Sequence, residues 1–147
     1  MRAVAQSHRM EVVVDDAAIE AYLDYVEFGQ VVAKLIENAA KFSPPGTTIL
    51  VSGQSLGGET VIAVADQGRG VAPEDRARVF DRFYRGASAS SVPGSGLGLA
   101  ISRGIARAHG GEIRLEAGPA GSGAVFTISI PRPLRRRSHA AAEGAIA

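Results

Sequence analysis

The sequence predicts an α+β fold, a two-layer α/β sandwich in which a mixed β-sheet carries its helices on one face. Three observations predict it. Short β-branched runs pair through turn signals as hairpins, two segments repeat apolar residues at helical spacing, and the two kinds follow the order β-α-β-β-loop-α-β-β. At 147 residues the chain is one ordinary domain in length. A chain of that size buries roughly 68–70% of its unfolded surface, enough for a core without staples.

Residues 1–9 are polar and read as a ragged start, and Met10–Val14 (MEVVV) reads as a strand. Asp24 with Glu27 resembles a capping box, opening a helix that runs to Phe42. At 100° per residue Phe28, Val31, Val32, Leu35, Ile36 and Ala39 share one apolar arc, and Lys34, Glu37, Asn38 and Lys41 share the opposite one. Gly29 is out of place in a helix interior, where it costs roughly 0.5–1 kcal/mol against alanine. Ser43-Pro44-Pro45-Gly46 stops the helix. Thr48–Gly53 and Thr60–Asp66 read as strands joined by a Gly57-Gly58 turn. Gly68–Gly98 is irregular, with one short helix after Pro73 through Phe80. Loops longer than ~12–15 residues are functional lids or disordered. A second long helix runs from about Leu97 to His109 and ends at Gly110-Gly111. Glu112–Glu116 and Ala124–Ile130 form a last strand pair, which Pro131 and Pro133 end. Residues 10–131 are thus the domain, and 132–147, arginine-containing and then alanine-rich, read as a disordered tail whose arginine run is a solvated charge run.

Composition excludes several function classes. The chain has no cysteine, hence no disulfide framework, thiolate zinc site or cysteine nucleophile. Hydrophobic content of 46% and charged content of 21% exclude disorder over most of the chain. No apolar run approaches the ~18–20 residues of a membrane span and no signal peptide opens the chain. Residues 1–130 carry 12 basic against 14 acidic side chains, so the body is no basic nucleic-acid binder. Glycine is in surplus: 18 residues, 12 of them between Gly68 and Gly123. That stretch needs bare backbone.

Four constellations carry chemistry. In Glu37-Asn38-Ala39-Ala40-Lys41-Phe42, positions 37, 38 and 41 project together from one helix face. A carboxamide oxygen suits Mg²⁺, a lysine one turn on suits phosphate, and a glutamate beside them suits a general base. A solvated helix face is equally written this way. Asp66-Gln67-Gly68-Arg69-Gly70 ends an apolar strand. Such an aspartate can accept from an exocyclic amine such as that of adenine, while the glycines admit a ligand to the backbone; a plain turn has the same letters. Gly94-Ser95-Gly96-Leu97-Gly98 opens the second long helix, where bare amides form an anion site. It is neither a dinucleotide fingerprint nor a Walker A loop, and a flexible linker could share its composition. Phe80-Asp81-Arg82-Phe83 brackets an arginine with two aromatics, which could anchor a lid and aim a cation at phosphate, or simply make a satellite apolar cluster.

Taken together in this order and spacing, the four resemble the motifs of the ATP-binding domain of sensor histidine kinases, in the superfamily shared with gyrase, heat-shock chaperone and mismatch-repair ATPases. Glu37–Phe42 is similar to the N box, Asp66–Gly70 to G1, Phe80–Phe83 to the F box and Gly94–Gly98 to G2, over residues 10–131. Residues 91–111 further resemble the potassium-sensing Kdp-type kinases. The resemblance implies ATP and Mg²⁺ as cofactors and a long ATP lid over about 67–98. It implies that Asn38 binds Mg²⁺, that Asp66 hydrogen-bonds the adenine amine, and that Gly68 and Gly70 line that pocket. Lys41 and Arg82 would contact phosphates, Gly94, Gly96, Leu97 and Gly98 would wrap the triphosphate, and Phe42 and Phe80 join the nucleotide-binding set. By the same resemblance Glu37, Lys41 and Arg82 would be the residues of the catalytic step, Glu37 standing where the wider superfamily keeps a general base.

Gln67 replaces the commoner asparagine. The larger departure is the phosphoacceptor histidine, which the family carries on a helical hairpin well before the N box. His8 precedes a strand, His109 caps a helix and His139 lies in the tail, so none is that residue. The chain is therefore expected to be a fragment of a longer kinase, or a kinase acting on another protein. Its expected partners are a dimerisation domain bearing the histidine, in a homodimeric parent, and a response regulator, with no nucleic acid and no membrane contact of its own. It is expected to be a cytoplasmic domain whose parent can be membrane-anchored. Two other readings remain: a stand-alone serine kinase of the anti-sigma-factor type, and a nucleotide-gated interaction module that transfers nothing.

Overall fold

The protein is described by a computed structural model over residues 7–15, 26–76, 78–81, 98–118 and 123–131. Its elements are β1 (Arg9–Val14), α1 (Val26–Lys41), β2 (Thr48–Leu56), β3 (Glu59–Ala65), α2 (Gly98–Ala108), β4 (Glu112–Ala117) and β5 (Ala124–Pro131). The strands make one sheet in the order β1-β2-β3-β5-β4. β1 lies parallel to β2, and every other neighbouring pair is antiparallel. This is the mixed-sheet α+β architecture the sequence predicts.

The helical periodicity of α1 places Val31, Val32, Leu35, Ile36 and Ala39 against the sheet, as expected. With Ile49 and Val51 of β2, Ile62 and Val64 of β3, Ile113 and Leu115 of β4, and Phe126, Ile128 and Ile130 of β5 they form one core. Along each of these strands every second residue is buried, because successive side chains point to opposite faces. Burying one such Leu or Ile side chain stabilises by roughly 1.5–3 kcal/mol. The expected Phe28 lies in the part of α1 whose side chains are outside the described residues, as do Asp24 of the capping box and the tail.

Two readings differ from expectation, each for a local reason. β2 continues past Gly53 to Leu56, because the hairpin closes on two residues only and pairing runs to Leu56↔Glu59. Gly57 and Gly58 have φ of 55° and 81°, the pair of positive values that a type I′ turn demands. The short helix expected from Pro73 through Phe80 is two separate 3₁₀ turns, Pro73–Asp75 and Arg78–Phe80. Their bonds, Asp75 N–H to Ala72 O and Asp81 N–H to Arg78 O, span three residues, so each turn is spent before an α-helical ring can propagate. α2 ends as the Gly-Gly pair predicts: Gly111 N–H donates to Ala106 O (2.8 Å), Gly110 N–H to Arg107 O (3.0 Å), and Gly110 has φ of 78°.

Two histidines are structural. The His8 ring is buried; its Nε2 donates to Ser43 O (3.1 Å) while its Nδ1 meets the Ser7 hydroxyl (2.7 Å). This ties the approach to β1 to the end of α1. His109 turns its Nδ1 back onto Ile105 O in the last turn of α2. One buried polar group is unsatisfied among the described residues, the Thr60 hydroxyl on the core face of β3. Thr60→Val removes it at nearly constant volume. We expect a rise of about 1 kcal/mol in unfolding free energy, read by urea titration; a loss of stability would show that the hydroxyl has a partner.

Candidate functional site

The polar face of α1 presents Lys34, Glu37, Asn38 and Lys41 away from the core. Lys34 Nζ lies 3.4 Å from Glu37 Oε2, a half-exposed pair of the kind that contributes well under ~1 kcal/mol. The Asn38 carboxamide makes no hydrogen bond among the described residues. Lys41 is exposed in the last turn. α1 is then closed by the Ser43 hydroxyl, which donates to Ala39 O (2.7 Å).

Asp66 follows β3 and is only 8% exposed. Its Oδ1 accepts from Gly68 N–H (2.8 Å) and from Ala124 N–H (3.2 Å), while its own N–H donates to Ala124 O (3.0 Å). Burial raises the carboxyl pKa, and the two backbone hydrogen bonds pull it part of the way back. Oδ2 accepts nothing among the described residues. A carboxylate with one oxygen fixed by backbone N–H groups keeps the other able to accept a further hydrogen bond.

Glycine is required around it by contact. A Cβ on Gly68 would stand 2.1 Å from Phe42 O, so the loop after β3 rests directly on the backbone that ends α1. Gly70 has φ of 80°, and a Cβ there would stand 2.7 Å from Gly123 O. Gly123 itself has φ of 73°, and its Cβ would stand 2.1 Å from Asp66 O. Gln67 Oε1 accepts from Thr48 N–H (2.8 Å), tying the same loop to the start of β2. The expected residues Phe42, Asp66, Gly68 and Gly70 therefore share one neighbourhood, and Asn38 stands one turn before Phe42, whose N–H donates to the Asn38 carbonyl. Gly123 and Ala124 complete it and were not anticipated. Ala124 stands 58 positions beyond Asp66, with Gly123 just before it, and read locally the two are only the turn into the last strand.

The start of α2 joins the same neighbourhood. Lys34 lays its aliphatic stem over Gly98, where a Cβ would meet Cδ at 3.0 Å and Cε at 3.1 Å. Phe80 is placed differently: it is buried in the core, edge-to-face with Phe126 (centroids 6.1 Å apart, 89°), with the Arg103 guanidinium 4.9 Å from its ring centroid. Arg103 Nε reaches Glu112 Oε1 at 2.9 Å, and Arg107 grips both oxygens of the same carboxylate. Burial opposes ionisation of Glu112, but the two arginines and the Ile113 N–H outweigh it and hold its pKa at about 2 instead of 4.5. A depressed carboxyl pKa stabilises the fold above its unfolded value and loses that contribution as pH falls through the folded value. Glu112→Gln is accordingly expected to cost about 1 kcal/mol at neutral pH. The two thermal midpoints should converge as pH falls from about 4.5 towards 2; a constant gap would mean the charge is not the cause.

The expected Arg82, Phe83, Gly94, Gly96 and Leu97 lie outside the described residues. Among the described residues no three His, Asp or Glu side chains cluster to hold a metal, and no helix is long and apolar enough to cross a membrane.

The sequence matches the family model of histidine kinase-, DNA gyrase B- and HSP90-like ATPases over residues 23–134. Over 110 residues it is 46% identical to the sensor-like histidine kinase SenX3 of Mycolicibacterium smegmatis, covering 74% of this chain and 28% of that protein. Over 136 residues it is 40% identical to the signal transduction histidine-protein kinase/phosphatase MprB of Mycobacterium avium, covering 89% and 26%. The chain thus spans little more than a quarter of these relatives. Among solved structures it resembles the mycobacterial sensor histidine kinase MprB, with a TM-score of 0.75, 35% identity and coverage of 90% and 88%. It also resembles the full-length ShkA complex with AMPPNP, with a TM-score of 0.68, 29% identity and coverage of 88% and 27%. The narrower Kdp-type likeness of residues 91–111 finds no support: the relatives are of the SenX3 and MprB kind.

Proposed function

Because the chain belongs to the histidine kinase-, DNA gyrase B- and HSP90-like ATPase family, we propose that it is the ATP·Mg²⁺-binding catalytic domain of a two-component sensor kinase, donating the γ-phosphoryl group to a histidine on a dimerisation domain outside this chain. The observation that supports the site assignment most is the Asp66 carboxylate, buried and with one oxygen unfilled beside three obligatory glycines. It fits the amine edge of adenine. Gly68 and Gly70 admit the base to the backbone, and Phe42 lies against their loop.

The polar face of α1 then serves the phosphates. Asn38 would supply a protein oxygen to Mg²⁺, which keeps its remaining positions for water and phosphate oxygens and so needs no acidic cage. Bound there, the ion supplies neutralisation of charge on the transferring group. Lys41 and Arg82 would contact phosphates, and Gly94, Gly96, Leu97 and Gly98 would line them with backbone amides. Glu37 would orient or deprotonate the attacking group; it stands on the polar face of α1 next to Asn38 and pairs with Lys34. Positioning and charge neutralisation are what phosphoryl transfer asks of a protein.

SenX3 and MprB are named as sensor kinases, which favours a phosphoacceptor histidine and a response regulator as partners and does not favour the anti-sigma-type or non-catalytic readings. The test is titration of the chain with ATP, with and without Mg²⁺, followed by incubation with a histidine-bearing dimerisation domain. Tight Mg²⁺-dependent binding and acid-labile phosphate on the acceptor are expected. Acid-stable phosphate would mean a serine kinase, and tight binding without transfer to any such domain a binding module. Asn38→Ala is expected to bring affinity in Mg²⁺ down to the value without it, a fall of ~10-fold or more. Unchanged Mg²⁺ dependence would remove Asn38 from the metal.

A further inference from the structure

Phe80 and Gly98 flank the segment of sequence that carries Arg82 and the glycine motif, and one side chain of the helix that Gly98 opens reaches the Phe80 ring. Arg103 sits on α2, five positions after Gly98. Its guanidinium lies over the Phe80 ring, whose other neighbour is the edge of Phe126 in the core. Its Nε is held by Glu112 on β4, and Glu112 is steadied from the far side by Arg107. A continuous stack therefore runs from β5 through Phe80 and Arg103 to the start of β4. Arginine alone can fill this position, because its plane lies on an aromatic face while its edge meets a carboxylate.

We propose that Arg103 is a positioning residue for the phosphate end of the nucleotide site. By fixing α2 to Phe80 and to β4, it sets where Gly98 rests on the Lys34 stem, and so where the start of α2 stands relative to Asn38 and Lys41. It makes no contact with the Asp66 pocket, which is built on β3, β5 and the end of α1. This inference rests on the nucleotide reading of the site, and it predicts a split: loss of Arg103 weakens recognition of the phosphates and spares recognition of the base.

Arg107 provides the control, because it shares Glu112 with Arg103 and does not share Phe80. The experiment compares the chain with its Arg103→Gln, Arg103→Lys and Arg107→Gln variants by thermal midpoint, by ATP affinity and by adenosine affinity. Arg103→Gln and Arg107→Gln are expected to lower the midpoint by similar amounts. Only Arg103→Gln is expected to weaken ATP, by about fivefold or more, at unchanged adenosine affinity. Arg103→Lys, which keeps the cation and loses the planar fork, is expected to fall between it and the parent chain. It carries the test alone if the Gln variant does not fold. Equal ATP affinities for Arg103→Gln and Arg107→Gln, or a parallel loss of ATP and adenosine, would overturn the proposal. Failure of the parent chain to bind ATP at all would instead overturn the nucleotide reading, and this inference with it.

Discussion

Asp66→Asn is expected to weaken ATP binding on the order of 10- to 100-fold while leaving the fold at least as stable. The two effects separate because the two carboxylate oxygens have separate duties. Oδ1 accepts the N–H groups of Gly68 and Ala124, and an asparagine oxygen can do the same. The other atom becomes an NH₂ group, a donor where the adenine amine needs an acceptor. A hydrogen bond to a charged group contributes about 1.5–3 kcal/mol, which sets the expected fold-change. Stability moves the other way. Burial raises the pKa of Asp66, so ionising it costs native stability once pH rises above the unfolded-state value of about 3.9. The neutral asparagine escapes that cost at pH 7. Calorimetry of melting and of ATP titration checks both halves; wild-type ATP affinity in a stable Asn variant would remove Asp66 from the adenine site.

Gly68→Ala is expected to damage stability and binding together. Its Cβ would enter at 2.1 Å from Phe42 O and 3.0 Å from Phe42 C, both backbone atoms, so either the loop after β3 or the end of α1 must move. Forced overpacking of this kind costs ~1–3 kcal/mol, and here the displaced parts are two walls of the proposed site. Gly104→Ala is the contrast. A Cβ there meets nothing within 4 Å in the interior of α2, so alanine is expected to stabilise by roughly 0.5–1 kcal/mol and leave ATP affinity alone. Urea titration with parallel nucleotide titration reads both. If Gly68→Ala binds ATP as the parent chain does, the close approach of these two segments is not a requirement of the site.

The features legible in the sequence were those with local periodicity or local turn chemistry. The apolar arc of α1 follows from 3.6-residue spacing, the Gly57-Gly58 hairpin from two residues that accept positive φ, and the end of α2 from its Gly-Gly pair. Asp66 and the α1 face could be singled out because they combine a charge or carboxamide with a strand end or a helix face. What could not be read was pairing across distance. Nothing near Gly123 announces that its carbonyl meets Gly70 or that Ala124 holds Asp66, since β5 becomes the neighbour of β3 only when the sheet assembles. Locally the two 3₁₀ turns look like one helix, because the sequence shows a proline start and an apolar end and does not show that Phe80 is drawn into the core between Phe126 and Arg103.

β3 has β2 on one side and β5 on the other, and the Asp66 N–H is bonded to β5 at its end. An amide in that position exchanges its hydrogen only when the sheet opens, near the free energy of global unfolding. On the proposed reading, the acceptor for the base is then held in place before any ligand arrives. Little ordering entropy would be lost in filling it, so that half of the proposed site would engage as lock-and-key, with its association rate set by encounter rather than by rearrangement.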